Sequence, residues 1–463
     1  MLTYGAFVPH PAIILEEVGG EETKKVAQTV QAMKSLRERI EASQPETILL
    51  FSPHGPVFQD GLAIRGGKRL RGSLANFGFN RRWEWENDQE LVQAMIEAAS
   101  EEGLNCREIN EEFLFRYRFS RELDHGVLVP LAFLAPEKVR LVATGMSLLP
   151  WLEQYKLGRA IGRAVRNSPR RIAVIASGDL SHCLFPGAPV AYDPHGEEFD
   201  RRLVNILKEK KIIDLFRLSP ELVEKAAECG FRTLLMLLGV FDGLEFDPEV
   251  LSYEGPFGVG YLVSAFEPRT DYDPDRSIYS VLLDQSKAEI RRRRRQESPL
   301  VQLARRTVEN HLLGTEEEIE LSLPPEAQKP AGVFVSIKKH GNLRGCIGTI
   351  FPTQPSAAEE IRHNAIAAAF QDPRFDPVQV DELDDLVYSV DLLQAPEPIS
   401  GPEELDPERY GVIVRRGGRT GLLLPNLEGV DTVEKQIAIA KQKAGIGPKE
   451  EVEMERFEVI RYF

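Results

Sequence analysis

Two short apolar runs, each stopped by a histidine set among prolines, constrain this chain more than any other feature. Thr3 to Val8 ends in Pro9-His10-Pro11, and Thr47 to Phe51 ends in Ser52-Pro53-His54-Gly55-Pro56. Apolar runs of this length without alternation suit strands covered on both faces. Between them, Val26, Val30, Met33, Arg37 and Ile40 fall at helical spacing within Thr23 to Ile40, the pattern of an amphipathic crossover helix. Strand, helix and strand in that order make a βαβ unit. In an open sheet of this kind the carboxyl ends of the strands border the ligand crevice, so the two imidazoles arrive at the same edge. The flanking prolines stiffen both turns.

The alternation continues. Leu157 to Arg166 is helix-like, Arg171 to Ala176 strand-like, Glu197 to Lys208 helix-like, and Pro220 to Leu238 helix-like with a break at Gly230. The expectation is a three-layer α/β domain.

Further chemistry-bearing residues lie in the same kind of turn. Glu254 sits in Ser252-Tyr253-Glu254-Gly255-Pro256-Phe257-Gly258, ahead of the strand-like Val259 to Phe266. His182 closes Ser177-Gly178-Asp179-Leu180-Ser181-His182, and His125 lies in Leu123-Asp124-His125-Gly126. Two neutral imidazoles and one carboxylate leave open positions on a metal, an arrangement that suits Fe(II) and oxygen chemistry, so His10, His54 and Glu254 are the expected metal ligands. Zn2+ accepts the same ligand types. His182 is a candidate acid or base and His125 a candidate hydrogen-bond donor to substrate, because imidazole titrates near neutrality. Asp179 reads equally as an acceptor that orients an imidazole and as a helix cap. His195, in Asp193-Pro194-His195-Gly196, reads as a loop residue. Gly255, Gly258 and Gly260 precede a strand, the wrong context for a phosphate cradle, and fit backbone crowding near a metal.

FVPHP, SPHGP, LDHG, SGDLSH and YEGPFG occur in the order found in class III extradiol dioxygenases of the protocatechuate 4,5-dioxygenase beta-subunit type, and over about the first 265 residues the chain resembles these enzymes and the related Memo family. The resemblance implies that His10, His54 and Glu254 hold iron, that His182 is the general base and that His125 assists. Memo-like members can replace the acidic ligand with cysteine, whereas Glu254 is retained here.

Beyond Phe266 the chain becomes polar and turn-prone through Pro268-Arg269-Thr270-Asp271-Tyr272-Asp273-Pro274, then charged, with five successive arginines from Arg291 to Arg295. Domain boundaries favour such stretches, which places an N-terminal domain at 1–267, a polar, arginine-rich linker at 268–297 and a second domain at 298–463. On a helix the arginines spread around its circumference and read as a solvated connector. In the second domain Leu300 to Leu313 and Ala357 to Ala369 are helix-like. Val333 to Ile337 and Cys346 to Ile350 are strand-like and joined near Gly341-Asn342, so a smaller α+β fold is expected.

Leu343-Arg344-Gly345-Cys346-Ile347-Gly348-Thr349, NAIAAAFQDPRF from Asn364 to Phe375, and Gly421-Leu422-Leu423-Leu424-Pro425 resemble the AMMECR family over about Ser298 to Phe463. The fusion is similar to the A components of AmmeMemoRadiSam systems, which implies a radical S-adenosylmethionine enzyme as partner. Cys346 reads as a small buried hydrophobe between glycines. The alternative is a nucleophile with Arg344 to favour its thiolate and His363 as a partner.

Composition excludes other classes. With 57 Lys and Arg against 72 Asp and Glu, the net charge of −15 repels a phosphate backbone and argues against nucleic acid. No stretch approaches the ~20 apolar residues of a membrane span, and the N-terminus lacks a signal-peptide pattern, so a cytoplasmic protein is expected. Four scattered cysteines without a CxxC pair argue against a disulfide framework, a zinc ribbon and an iron-sulfur cluster. The expected function is oxidation of an aromatic, phenolic or catecholic substrate by a non-haem Fe(II) site of the extradiol type. The rival is a metal-binding component that recognises a peptide or a partner enzyme without turning over oxygen, or that modifies a peptide together with a radical S-adenosylmethionine enzyme.

Overall fold

The computed structural model describes residues 1–136, 138–315, 319–427 and 429–463. They form two units, Met1–Leu282 and Leu283–Phe463.

The first unit contains strands β1 (Leu2–Val8), β2 (Thr47–Phe51), β3 (Gly61–Arg65), β4 (Arg69–Leu74), β5 (Phe79–Glu86), β6 (Asn105–Ile109), β7 (Arg140–Thr144), β8 (Ile172–Ser177), β9 (Phe246–Glu254) and β10 (Tyr261–Pro268). Eight of them make one sheet in the order β6-β3-β7-β2-β8-β1-β10-β9, and β4 with β5 forms a separate hairpin. At the centre β7, β2, β8 and β1 run parallel, and β10 closes against β1 antiparallel. Every residue of β2 and β8 is buried, as unalternating apolar runs require.

Successive side chains of these strands enter opposite layers. Phe7, Leu49, Phe51 and Val174 pack with Tyr155 and Ile161 of the helix Trp151–Asn167 and with Leu235 and Leu238 of the helix Phe231–Val240. Ala6, Val8, Leu50 and Ile175 pack with Met33, Leu36 and Ile40 of the helix Ala27–Ala42 and with Val127, Leu128 and Leu131 of the helix His125–Leu134. Sheet between two helical layers is the expected architecture. The crossover helix differs from expectation at its start, because Gly20–Val26 winds as a 3-10 turn and the α-helix begins at Ala27 with no capping side chain at Val26.

In the second unit β11 (Val333–Lys339), β12 (Asn342–Thr349), β13 (Leu386–Leu393), β14 (Glu397–Ile399), β15 (Tyr410–Arg416), β16 (Arg419–Leu423) and β17 (Glu453–Tyr462) form an antiparallel sheet in the order β12-β11-β13-β17-β15-β16, with β14 on β17. Helices Pro299–Leu313 and Ala357–Phe370 cover one face, where Leu300, Val308, Ile361 and Ala365 meet Val333, Val335, Ile337 and Val390. Strands and helices without strict alternation make this the smaller α+β domain. Within the stretch 268–297, a helix spans Ile278–Gln296, and Arg292 and Arg293 pair with Glu289 on it. Among the described residues no helix is long and apolar enough to cross a membrane.

Candidate metal centre

The end of β1 delivers His10, and the end of β2 delivers His54. His10 is 2 % exposed. Its Nδ1 lies 3.0 Å from Ser177 Oγ at the end of β8, and its backbone N–H donates to Asp179 Oδ1 at 3.1 Å. A proton on Nδ1, bonded to Ser177, leaves the Nε2 lone pair free. That nitrogen is the common point of the cluster: His54 Nε2 is 2.8 Å away, Asp179 Oδ2 3.6 Å and Cys229 Sγ 3.8 Å. On the other flank His125 stacks on His54 with ring centroids 4.4 Å apart and stands edge-on to His10 at 5.3 Å. Two sets of potential ligand atoms thus share His10, one with His54 and His125, the other with Asp179 and Cys229.

The arrangement passes a geometric test for a metal. Nitrogens about 2.1 Å from one ion and at right angles are about 3 Å apart, close to the separation of the two Nε2 atoms. Charge points the same way. Burial holds the His10 imidazole below its ordinary pKa, and desolvation, reinforced by His10 and His125, pushes His54 down to about 4. Both rings are therefore neutral at pH 7, the state in which imidazole binds metal. Burial raises the Cys229 thiol well above its usual value, and Asp179 adds to this. A cation is what would reverse that preference and draw the thiolate.

Asp179 ties the site together. Burial opposes its ionisation, but the His182 contact and the His10 backbone N–H favour the anion, and its pKa lies below the ordinary value. Its Oδ2 lies 3.8 Å from His182 Nε2, while His182 Nδ1–H donates to the carbonyl of Ala227. Burial disfavours the His182 cation, yet the contacts with Asp179 and Ala227 prevail and its pKa rises. Between the two readings of Asp179, the orienting role is the one these contacts support. The loops carrying Asp179 and Cys229 touch through glycine: a Cβ on Gly178 would lie 2.1 Å from the Gly230 Cα.

Glu254 does not join the group. It ends β9 at the sheet edge, and its Oε1 accepts the Thr29 N–H at 2.7 Å. Thr29 lies in the first turn of the helix Ala27–Ala42, whose free N–H groups have no capping side chain of their own. The remote carboxylate supplies that cap, and of the expected His10, His54 and Glu254 triad the structure brings together the two histidines. The nearby Gly260 makes room for Asp200, whose Oδ2 would lie 2.0 Å from a Cβ there, instead of for a metal. His195 bonds Asp193 at 2.6 Å at the start of the helix Pro194–Lys208, away from the cluster. Sequence reasoning missed Cys229. Its signal was a cysteine at the glycine break between two apolar helices, where a purely structural loop has little use for a thiol.

Imidazoles, an acid and a thiol gathered beside the carboxyl ends of the parallel strands of a mixed sheet give this α/β domain a candidate metal site. Residues 4–264 match the family described as the catalytic LigB subunit of aromatic ring-opening dioxygenase, and residues 301–462 match AMMECR1, so the chain belongs to the LigB family and carries an AMMECR1 domain behind its LigB domain. A Clostridium acetobutylicum relative, Protein CA_C1420, is 41% identical over 461 residues, covering 98% of both chains. A Thermotoga maritima protein is 56% identical over 170 residues, 36% of this chain and 98% of its own. Two solved structures of uncharacterized proteins also match. PH0010 from Pyrococcus horikoshii has 37% identity and a TM-score of 0.33, covering 35% of this chain and 88% of its own. JW3007 from Escherichia coli K12 has 16% identity and a TM-score of 0.42, covering 57% and 99%.

Proposed function

We propose that the LigB domain holds one transition-metal ion, Fe2+ by preference, at His10 and His54, and oxidises an aromatic, phenolic or catecholic substrate in the manner of an extradiol dioxygenase. The observation that carries this reading is the pair of neutral Nε2 atoms 2.8 Å apart. Cys229 and Asp179 would complete the ligand set on one flank, with His125 on the other. When bound, such an ion supplies Lewis acidity that lowers a phenol's pKa and a redox centre for oxygen. His182 handles protons. With Nδ1–H committed to Ala227, the exchanging proton sits on Nε2, and Asp179 beside it stabilises the charged ring. His125, stacked on His54, is close enough to assist as a hydrogen-bond donor to substrate where it is not itself a ligand. The test is anaerobic loading with Fe2+ followed by oxygen uptake on simple catechols. Uptake that His182→Gln lowers by about 100-fold supports the assignment.

One observation favours a second reading. A half-buried thiol stands near His10 where a carboxylate was expected, and thiolate ligation suits Zn2+ or Cu(I) as well as iron. In that reading the protein is a cytoplasmic metal-binding component that recognises a peptide and works with a radical S-adenosylmethionine enzyme. Stoichiometric metal without uptake on any aromatic, in folded protein, selects it.

A further inference from the structure

His54 and His125 reach the metal centre from turns far apart in the chain, yet their rings stack. One buried hydroxyl joins the two turns. Ser52, directly after β2, has no solvent exposure, and its Oγ donates to Asp124 Oδ1 at 2.6 Å while accepting the His54 N–H at 3.3 Å. A hydroxyl can do both at once, having one proton to give and two lone pairs. Asp124 occupies the N-cap of the helix His125–Leu134, where an aspartate ordinarily accepts an N–H of the first helical turn. It makes no such bond here. Its carboxylate turns to Ser52 instead, across the gap between the two histidine turns.

Space and support agree with this. A Cβ on Gly126 would lie 2.5 Å from Ser52 Oγ, 2.9 Å from Asp124 Oδ1 and 3.3 Å from His54 Cδ2, so glycine is what lets the start of the helix sit against the His54 turn. The segment ahead of Asp124 is pinned from two strands. Arg65, buried at the end of β3, donates to the carbonyls of Ser120 at 2.9 Å and Glu122 at 3.0 Å, and the Leu123 N–H donates to the Arg71 carbonyl of β4 at 2.9 Å. Asp124 therefore arrives on an anchored chain, and Ser52 at the end of a strand buried throughout.

We propose that Ser52 and Asp124 form a latch that positions His54 and His125 around the metal, an inference that rests on the metal-binding reading of this site. Both are positioning residues, acting through the histidines and not as ligands. The latch fixes the turn from which His54 Nε2 meets His10 Nε2 at 2.8 Å, and it keeps the His125 ring on His54 with centroids 4.4 Å apart. Orientation matters because an ion takes its ligands at set distances and angles, and losing the outer hydrogen bonds that orient them typically costs about 10–100-fold in metal affinity.

Titration of the full-length protein with Co2+, followed by visible absorption, tests the latch, because the cobalt bands report ligand geometry and the titration reports affinity. Ser52→Ala and Asp124→Ala should each weaken Co2+ binding by about 10–100-fold and alter the bands at saturation. Asp124→Asn, which keeps an oxygen to accept the Ser52 hydroxyl, should retain the parent spectrum. The variant carrying both alanines should lose no more than either single variant, since either one opens the latch. A second readout needs no metal: diethyl pyrocarbonate should modify His54 and His125 of the metal-free protein several-fold faster in Ser52→Ala than in the parent, with His195 unchanged as the internal control. Spectrum and affinity unchanged in both alanine variants, additive losses in the double variant, or an altered spectrum in Asp124→Asn overturns the latch while the metal site stands. A parent protein that binds no Co2+ overturns the metal reading, and the latch with it.

Discussion

The metal centre and the face of the second unit's sheet that carries Cys346 are both polar clusters on the edge or face of a sheet, yet they are assembled by different physics. His10, His54, His125, Asp179 and Cys229 come from separate segments and converge because loops at the ends of parallel strands meet. Cys346, Ser336 and Ser389 are neighbours because antiparallel pairing puts them in register. The first site joins a buried His10 to an exposed His54 and a half-buried His125, while the second leaves Cys346 half-buried on a sheet face. Convergence gives close geometry that depends on a few loop contacts. Register gives a site that persists as long as the strands pair.

Removing the common nitrogen is the largest perturbation. His10→Ala should abolish stoichiometric metal binding, read by elemental analysis after reconstitution, and leave the fold of the second unit untouched. Retained metal would break the contrast between the sites. Next comes the loop contact. Gly178→Ala forces a methyl group to 2.1 Å from the Gly230 backbone, so unfolding by urea should show a loss of about 1–3 kcal/mol together with weakened metal binding. The register-built site has no comparable dependence on that contact.

Glu254→Ala should cost about 1 kcal/mol, the usual worth of a helix cap, while metal stoichiometry stays intact. Loss of metal with unchanged stability would restore Glu254 as a ligand. The smallest effect concerns the support behind His182. Asp200 is fully buried, accepts the Ser181 N–H at 2.8 Å and the Tyr253 hydroxyl at 2.7 Å, and is raised by burial from 3.8 to about 7. Its folded pKa exceeds its unfolded one, so the folded state binds the extra proton, and stability falls as pH rises through about 7. Between about pH 6.5 and pH 8 the metal-free protein should lose under about 1 kcal/mol, and Asp200→Asn should flatten that part of the profile in thermal melts.

What the sequence disclosed follows the same division. His10 and His54 were legible because each directly follows a buried strand, and strand ends define one edge of an α/β sheet. The helical layers were legible from periodicity. Glu254 does stand at a strand edge, as expected, but its contact with the start of a helix lacking a cap was not legible, because the chain gives no sign of which distant carboxylate will fill that vacancy. Cys229 was hidden for the converse reason: it sits in a break between helices, and only folding shows that this break abuts Asp179. In the second unit Arg344 is two residues from Cys346 and therefore looked like its counter-charge. Glu382 captures that guanidinium, and Arg374, on the loop after the helix Ala357–Phe370, is paired with Asp372 and donates to the Cys346 carbonyl.

Loading with Co2+ and recording the near-ultraviolet absorption tests most directly whether the ion at His10 meets the thiol and not the distant acid. The account predicts a thiolate-to-cobalt charge-transfer band in the parent protein that disappears in Cys229→Ser and persists in Glu254→Gln. Cobalt bound without that band, and lost in Glu254→Gln, would contradict it.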